Sequence, residues 1–105
     1  MENACSISYY CKILCIMVHF TIAKRYDGWC LNTKGSHQNH GQVLISGRFA
    51  KGDCLKACQK INLKPTGCEH DAQEGGECAY HTKPLSKGNG HPKHTCWVFK
   101  KGLYS

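Results

Sequence analysis

Apolar residues along this chain come in short runs separated by polar, glycine-bearing stretches, a rhythm that predicts short strands and turns around one helix. The longest run, Ile13-Leu14-Cys15-Ile16-Met17-Val18-His19-Phe20-Thr21-Ile22-Ala23, follows Lys12. It is short for a bilayer span and suits the core of a secretory signal, with small Thr21 and Ala23 at the positions a signal peptidase reads. Residues 1–23 are therefore expected to be a signal peptide, and residues 24–105 a single domain.

Within that domain, residues 26–31 read as an aromatic-rich edge strand that carries Cys30. Polar residues 32–42, with Gly35 and Gly41, read as an exposed loop. Val43-Leu44-Ile45 reads as a second strand closed by Gly47. The period then changes. Cys54, Leu55, Cys58 and Ile61 fall on one helical stripe behind Asp53, an expected N-cap, while Lys56, Gln59 and Lys60 face away. Pro65 should end this helix near Asn62. Residues 67–70 and 77–82 are strand candidates joined by the turn chemistry of residues 71–76. Residues 83–94 form a long basic loop holding Pro84, Gly88-Asn89-Gly90 and Pro92, and Thr95-Cys96-Trp97-Val98-Phe99 is a hydrophobic closing strand.

Composition changes what this pattern means. A single core in 105 residues buries only about two-thirds of the unfolded surface. The chain also carries nine cysteines, a density that marks a short secreted disulfide scaffold. Cys5, Cys11 and Cys15 fall in the expected signal segment, leaving Cys30, Cys54, Cys58, Cys68, Cys78 and Cys96 for the domain. Six cysteines allow fifteen pairings, and spacing alone does not choose among them. Cys54 and Cys58, one helical turn apart on one face, are poorly placed to pair with each other, so each is expected to reach a neighbouring element.

The formal charge is +7. Removing residues 1–23 takes away one base, Lys12, and one acid, Glu2, so the basic character belongs to the domain. It favours anionic partners such as sulfated glycans, acidic protein surfaces or anionic lipid headgroups, although a basic surface also serves plain solubility.

The cysteine order resembles that of the PAN/Apple family, as a single module. The residues that carry the resemblance are Gly52-Asp53-Cys54-Leu55-Lys56-Ala57-Cys58, then Gly67-Cys68-Glu69, then Gly76-Glu77-Cys78-Ala79-Tyr80-His81, with Cys30 and Cys96 as the outer pair. It covers roughly residues 26–100. The resemblance implies a small disulfide-rich α+β domain in which one helix packs across a curled antiparallel sheet. It further implies nested disulfides, Cys30–Cys96, Cys54–Cys78 and Cys58–Cys68, and a function in docking proteins or binding heparin-like and other carbohydrates, with no shared catalytic residues.

Candidate chemistry follows the same direction. The pairs His37-x-x-His40 and His91-x-x-His94 lie in Gly- and Pro-rich loops rather than one turn apart on a helix, so no metal site is expected. Oxidised cysteines cannot attack a substrate, and the acids Asp27, Asp53, Glu69, Asp71, Glu74 and Glu77 suggest no acid/base pair, so neither enzyme activity nor a cofactor is expected. The candidate ligand-binding residues are Lys83, Lys87, Lys93 and Lys100, with Lys101 beside them, interleaved with His81, His91, His94 and Trp97. If the basic loop folds back beside the last strand, these form a cationic face with an aromatic edge. Trp97 and Tyr80 also suit a core, and Lys51, Lys56, Lys60 and Lys64 make a separate helical cluster.

The expected function is thus that of a secreted, extracellular recognition module for a glycan or a protein. The alternative is a secreted basic cysteine-rich effector, a toxin or antimicrobial acting on anionic membranes, but no long amphipathic segment supplies its apolar face. Nucleic acid is not an expected partner, because no recognition-helix or zinc-finger spacing is present, and stable membrane insertion is not expected once the signal is removed. With so small a core, full reduction of the oxidised domain should unfold it. A cooperative thermal transition that survives reduction would contradict this.

Overall fold

The structure, a computed structural model, describes residues 19–38 and 40–103. The core of the expected signal segment, residues 13–18, and Cys5, Cys11 and Cys15 lie outside the described residues. The elements run β1 (His19–Asp27), β2 (Cys30–Asn32), β3 (Gln42–Ile45), α1 (Lys51–Gln59), β4 (Gly67–Asp71), β5 (Glu77–His81), β6 (Leu85–Gly88) and β7 (His94–Leu103). Five strands form one antiparallel sheet in the order β1-β7-β4-β5-β3, and β2 pairs with β6 in a separate ribbon. This is a small α+β domain with one helix and three disulfides among the described residues.

Strand alternation assigns the two faces of the sheet. Cys68 and His70 of β4, Cys78 and Tyr80 of β5, and Trp97 of β7 share the face that receives α1. Cys54 and Cys58 are the buried residues of the helix, and they bond to Cys78 and Cys68. Trp97, 4% exposed, packs with these four cysteines, and Ala23, Ile45, Phe49, Leu55, Tyr80 and Phe99 close the cluster. On the opposite face Cys30–Cys96 holds the β2–β6 ribbon, with Val98, Tyr26 and Leu85 around it.

The core is therefore mostly cystine: the six bonded cysteines stand with only Ala79, Trp97 and Val98 among the buried apolar side chains of the described residues. The disulfides close separations of 10, 24 and 66 residues. Taken singly, loop entropies of those lengths amount to about 3, 3.5 and 4 kcal/mol; nested loops share part of that constraint and do not simply add.

Several local expectations are corrected. The helix starts at Lys51 with Ala50 as N-cap, and no side chain caps it. Asp53 lies inside the first turn, where its charge still complements the helix dipole. What fixes the helix start is a pair of bonds to the Phe49 backbone: Phe49 N donates to Gly76 O at 2.9 Å, and His70 Nε2 donates to Phe49 O at 2.7 Å. Gly76, at φ +94°, is needed because a Cβ there would lie 2.6 Å from that same Phe49 carbonyl. The helix also ends earlier than Asn62, at Gln59, and Lys60 and Ile61 donate to Ala57 O and Cys58 O in a tightened last turn.

The strand expected over residues 26–31 is broken at Gly28, whose φ of +105° turns the chain out of β1 and into β2. The basic loop expected over residues 83–94 contains a strand, β6, which the sequence hid because Leu85-Ser86-Lys87-Gly88 has no β-branched or alternating pattern. Its partner creates it: β6 pairs with β2, and Ser86 Oγ donates to Asn32 O at 2.8 Å.

β1 runs across the boundary expected at residue 24. It pairs with β7 from His19↔Leu103 to Asp27↔Thr95, and Ala23 packs against the core. A chain beginning at Lys24 loses the pairs of His19, Phe20, Thr21, Ile22 and Ala23. At about 0.2–1 kcal/mol per cross-strand pair, it should be less stable than one beginning at His19 by between about 1 and 5 kcal/mol, with the fold retained. Denaturant titration of the two oxidised chains checks this, and equal midpoints would contradict it.

Candidate functional site

The structure separates the candidate ligand-binding residues. His81, His94 and Trp97 are 1%, 3% and 4% exposed and offer no surface to a ligand. Lys83, Lys87, Lys93 and Lys100 are exposed and His91 is half-buried. Lys83 lies between β5 and β6, and Lys87 sits on β6 opposite Leu31. Lys93 precedes β7 at the end of the sheet where His94 meets Asp71, whereas Lys100 lies near the other end, beyond the pair of Val98 and Gly67. Seven residues of extended chain put Lys93 and Lys100 about 20 Å apart, so they do not share one small site. The side chain of Lys101 lies outside the described residues.

His81 is a structural group. Its Nε2 lies 3.2 Å from Glu69 Oε1, and the same oxygen accepts the backbone N–H of Cys30 at 3.0 Å. Glu69 thereby joins β5 to the β2 ribbon beneath the Cys30–Cys96 disulfide.

One basic lysine of the candidate set does enter a concave site. A groove of about 400 Å³ is lined by Asn32, Thr33, Lys34, Ser36, Gln38, His40, Lys83 and Pro84. Among the described residues, no carboxylate lines it. Asn32 shapes one wall: its Oδ1 accepts from Lys34 N at 2.9 Å and Ser36 N at 3.0 Å, and Ser36 Oγ accepts from Gln38 N at 3.1 Å. The opposite wall is held through Lys83, whose carbonyl accepts from Thr66 Oγ1 at 2.6 Å, and through Thr82, whose backbone N donates to Gly41 O at 2.9 Å. The hydrogen bonds on both walls involve backbone groups, and among the described residues none engages the Lys34 or Lys83 side-chain amine. Chemically the groove offers two cations, an imidazole, the Gln38 amide and two hydroxyls, while the Asn32 amide is engaged by its own loop.

Most of these residues carry little signal in the sequence. Residues 32–42 read only as an exposed loop, since polar loop composition gives no sign that a chain returns beside Lys83. The one local signal was Asn32 followed by Thr33, Lys34, Gly35 and Ser36, a side chain able to bond its own backbone two and four residues on.

A second cluster surrounds Trp29. His37 and His94 stand edge-on to its ring at 4.7 and 4.9 Å, and His91 lies nearly parallel at 6.2 Å. The β1–β2 turn and the loop after β2 meet here with the approach to β7, more than 50 residues further along the chain. His94 has its pKa lowered from the ordinary histidine value, chiefly because burial removes water from the imidazolium; Asp71, 3.5 Å from its Nδ1, opposes this and His91 adds to it.

Comparison with known proteins found no matching family model, no matching curated protein and no matching solved structure.

The lowered pKa of His94 has a defined sign in stability. Unfolded, the side chain takes up a proton near pH 6.5, which the folded state resists. The contribution is therefore present above that pH and lost as pH falls through it, the unfolded chain binding more protons. Stability should drop between about pH 7.5 and about pH 5.5 in the native sequence and drop less in His94→Gln. Parallel denaturant titrations across that range test this, and identical slopes in the two proteins would contradict it.

Proposed function

We propose that this domain is an extracellular recognition module for anionic carbohydrate, sulfated glycan in particular, and that the groove between residues 32–38 with His40 and Lys83-Pro84 is its seat. The observation that carries the reading is the grouping of Lys34, His40 and Lys83 with Asn32, Ser36 and Gln38 in a groove that, among the described residues, no carboxylate lines. Ammonium groups pair with sulfates or carboxylates, and amides and hydroxyls match the ring hydroxyls of a sugar. The +7 formal charge of the chain adds long-range attraction. The resemblance to PAN/Apple modules supports the same class of partner, and the cysteine framework supports secretion as the setting.

In this reading the protein is a binder, with no group assigned to chemistry on the ligand. The groove is shaped in advance by the Asn32 turn and the Thr66 and Thr82 bonds, so little loop ordering is needed when a glycan docks. Lys87, Lys93 and Lys100 then contribute to the general field rather than to contact.

Heparin-affinity measurement and a glycan array at two salt concentrations test this. Lys34→Ala and Lys83→Ala are each expected to weaken binding by about 5- to 10-fold and to flatten its salt dependence, while Lys100→Ala changes it little. Equal losses in all three variants, or binding that vanishes in modest salt with no preference among glycans, would reduce the groove to part of a uniformly basic surface. Leakage from anionic vesicles at micromolar protein would favour the membrane-active alternative.

A further inference from the structure

The four cysteines that join α1 to the sheet form a more unusual group than two separate disulfides. The sulfurs of Cys54, Cys58, Cys68 and Cys78 all lie within 4.8 Å of one another and are fully buried. Across the two bonded pairs, Cys54 Sγ is 3.5 Å from Cys68 Sγ and Cys58 Sγ is 3.9 Å from Cys78 Sγ. A tetrahedral zinc tetrathiolate, with Zn–S bonds of about 2.3 Å, places its sulfurs about 3.8 Å apart. Two of the six edges of such a tetrahedron are already near that length.

From this we infer that the reduced chain holds a four-cysteine site for a thiophilic divalent cation, Zn²⁺ above all, made by Cys54, Cys58, Cys68 and Cys78. The first two ligands, one turn apart on α1, have the C-x-x-x-C spacing common in structural zinc sites, and the other two come from adjacent strands β4 and β5. The site forms once a dithiol or phosphine has reduced both disulfides to four thiols, the reductant being oxidised. Four thiols then bind one Zn²⁺ and release up to four protons, with no further electron transfer. Metal binding is thereby coupled to folding: the reduced, metal-free chain is unfolded, and the same four side chains tie helix to sheet again through a metal in place of two covalent bonds.

Proton release gives the site a signature: without metal the four thiols of the reduced chain are protonated. The metal must displace those protons, so affinity rises steeply with pH.

The test is an anaerobic titration of the full chain, reduced with a phosphine, using Co²⁺ as the spectroscopic probe and Zn²⁺ as competitor. The expected result is one equivalent of Co²⁺ with sulfur-to-metal charge transfer and tetrahedral visible bands, displaced by Zn²⁺, weakened on acidification and absent from the oxidised chain. Cys54→Ser and Cys68→Ser should lose the four-sulfur spectrum, whereas Cys30→Ser/Cys96→Ser and Cys5→Ser/Cys11→Ser/Cys15→Ser should keep it. Lack of a stoichiometric tetrathiolate spectrum in the reduced native sequence would overturn the site. So would a spectrum lost equally when the cysteines outside the cluster are replaced. Neither result bears on glycan binding, which is measured on the oxidised chain.

Discussion

The rest of the structure depends on the two disulfides that tie α1 to the centre of the sheet. A nine-residue helix is too short to be stable in water alone. This one buries little besides Cys54 and Cys58 and carries Lys51, Lys56 and Gln59 outward. Its attachment is covalent more than hydrophobic. Among the described residues, Trp97 supplies the one large buried apolar side chain that fills the space around these cystines, and Phe49 and Tyr80 seal its margin. The third disulfide plays the corresponding part on the other face, where β2 and β6 are too short to stand as an independent ribbon.

Putting the core into cystine has a consequence for the surface. Few large apolar side chains are needed inside, so most of the chain is left for polar loops, and the loops converge in defined places. Glu69 and His81 anchor the ribbon from beneath, Asn32 organises the loop that leaves it, and Thr66 and Thr82 fix the chain around Lys83. The proposed glycan groove is built on these contacts. The same economy packs four sulfurs together in the core, and that proximity underlies the proposed metal site of the reduced chain.

Much of the fold was legible because its determinants are local. The helical stripe of Cys54 and Cys58, the β-branched residues of β3, the turn between β4 and β5 and the hydrophobic run of β7 all announce themselves within a few residues. The disulfide partners in the structure are those the PAN/Apple resemblance implies, although spacing left fifteen pairings open. What stayed hidden depends on partners far away in the chain. β6 exists because β2 pairs with it, the helix start is set by Gly76 and His70 rather than by Asp53, and Trp29 meets His91 and His94 from the far end of the chain. The histidines and Trp97 of the candidate site misled for a related reason. Interleaved with lysines they resemble an exposed aromatic edge, yet strand alternation and pairing bury His81, His94 and Trp97.

The architecture stands or falls on which cysteines are joined across the helix and sheet. Peptide mapping of the oxidised chain at acidic pH reads this directly, because cleavage after Lys56 separates Cys54 from Cys58, and cleavage after Glu69 or Glu74 separates Cys68 from Cys78. The expected linked peptides join Cys54 to Cys78, Cys58 to Cys68 and Cys30 to Cys96. Recovery of Cys54 linked to Cys68 and Cys58 linked to Cys78, or of Cys30 joined to any of these four, would contradict the architecture described.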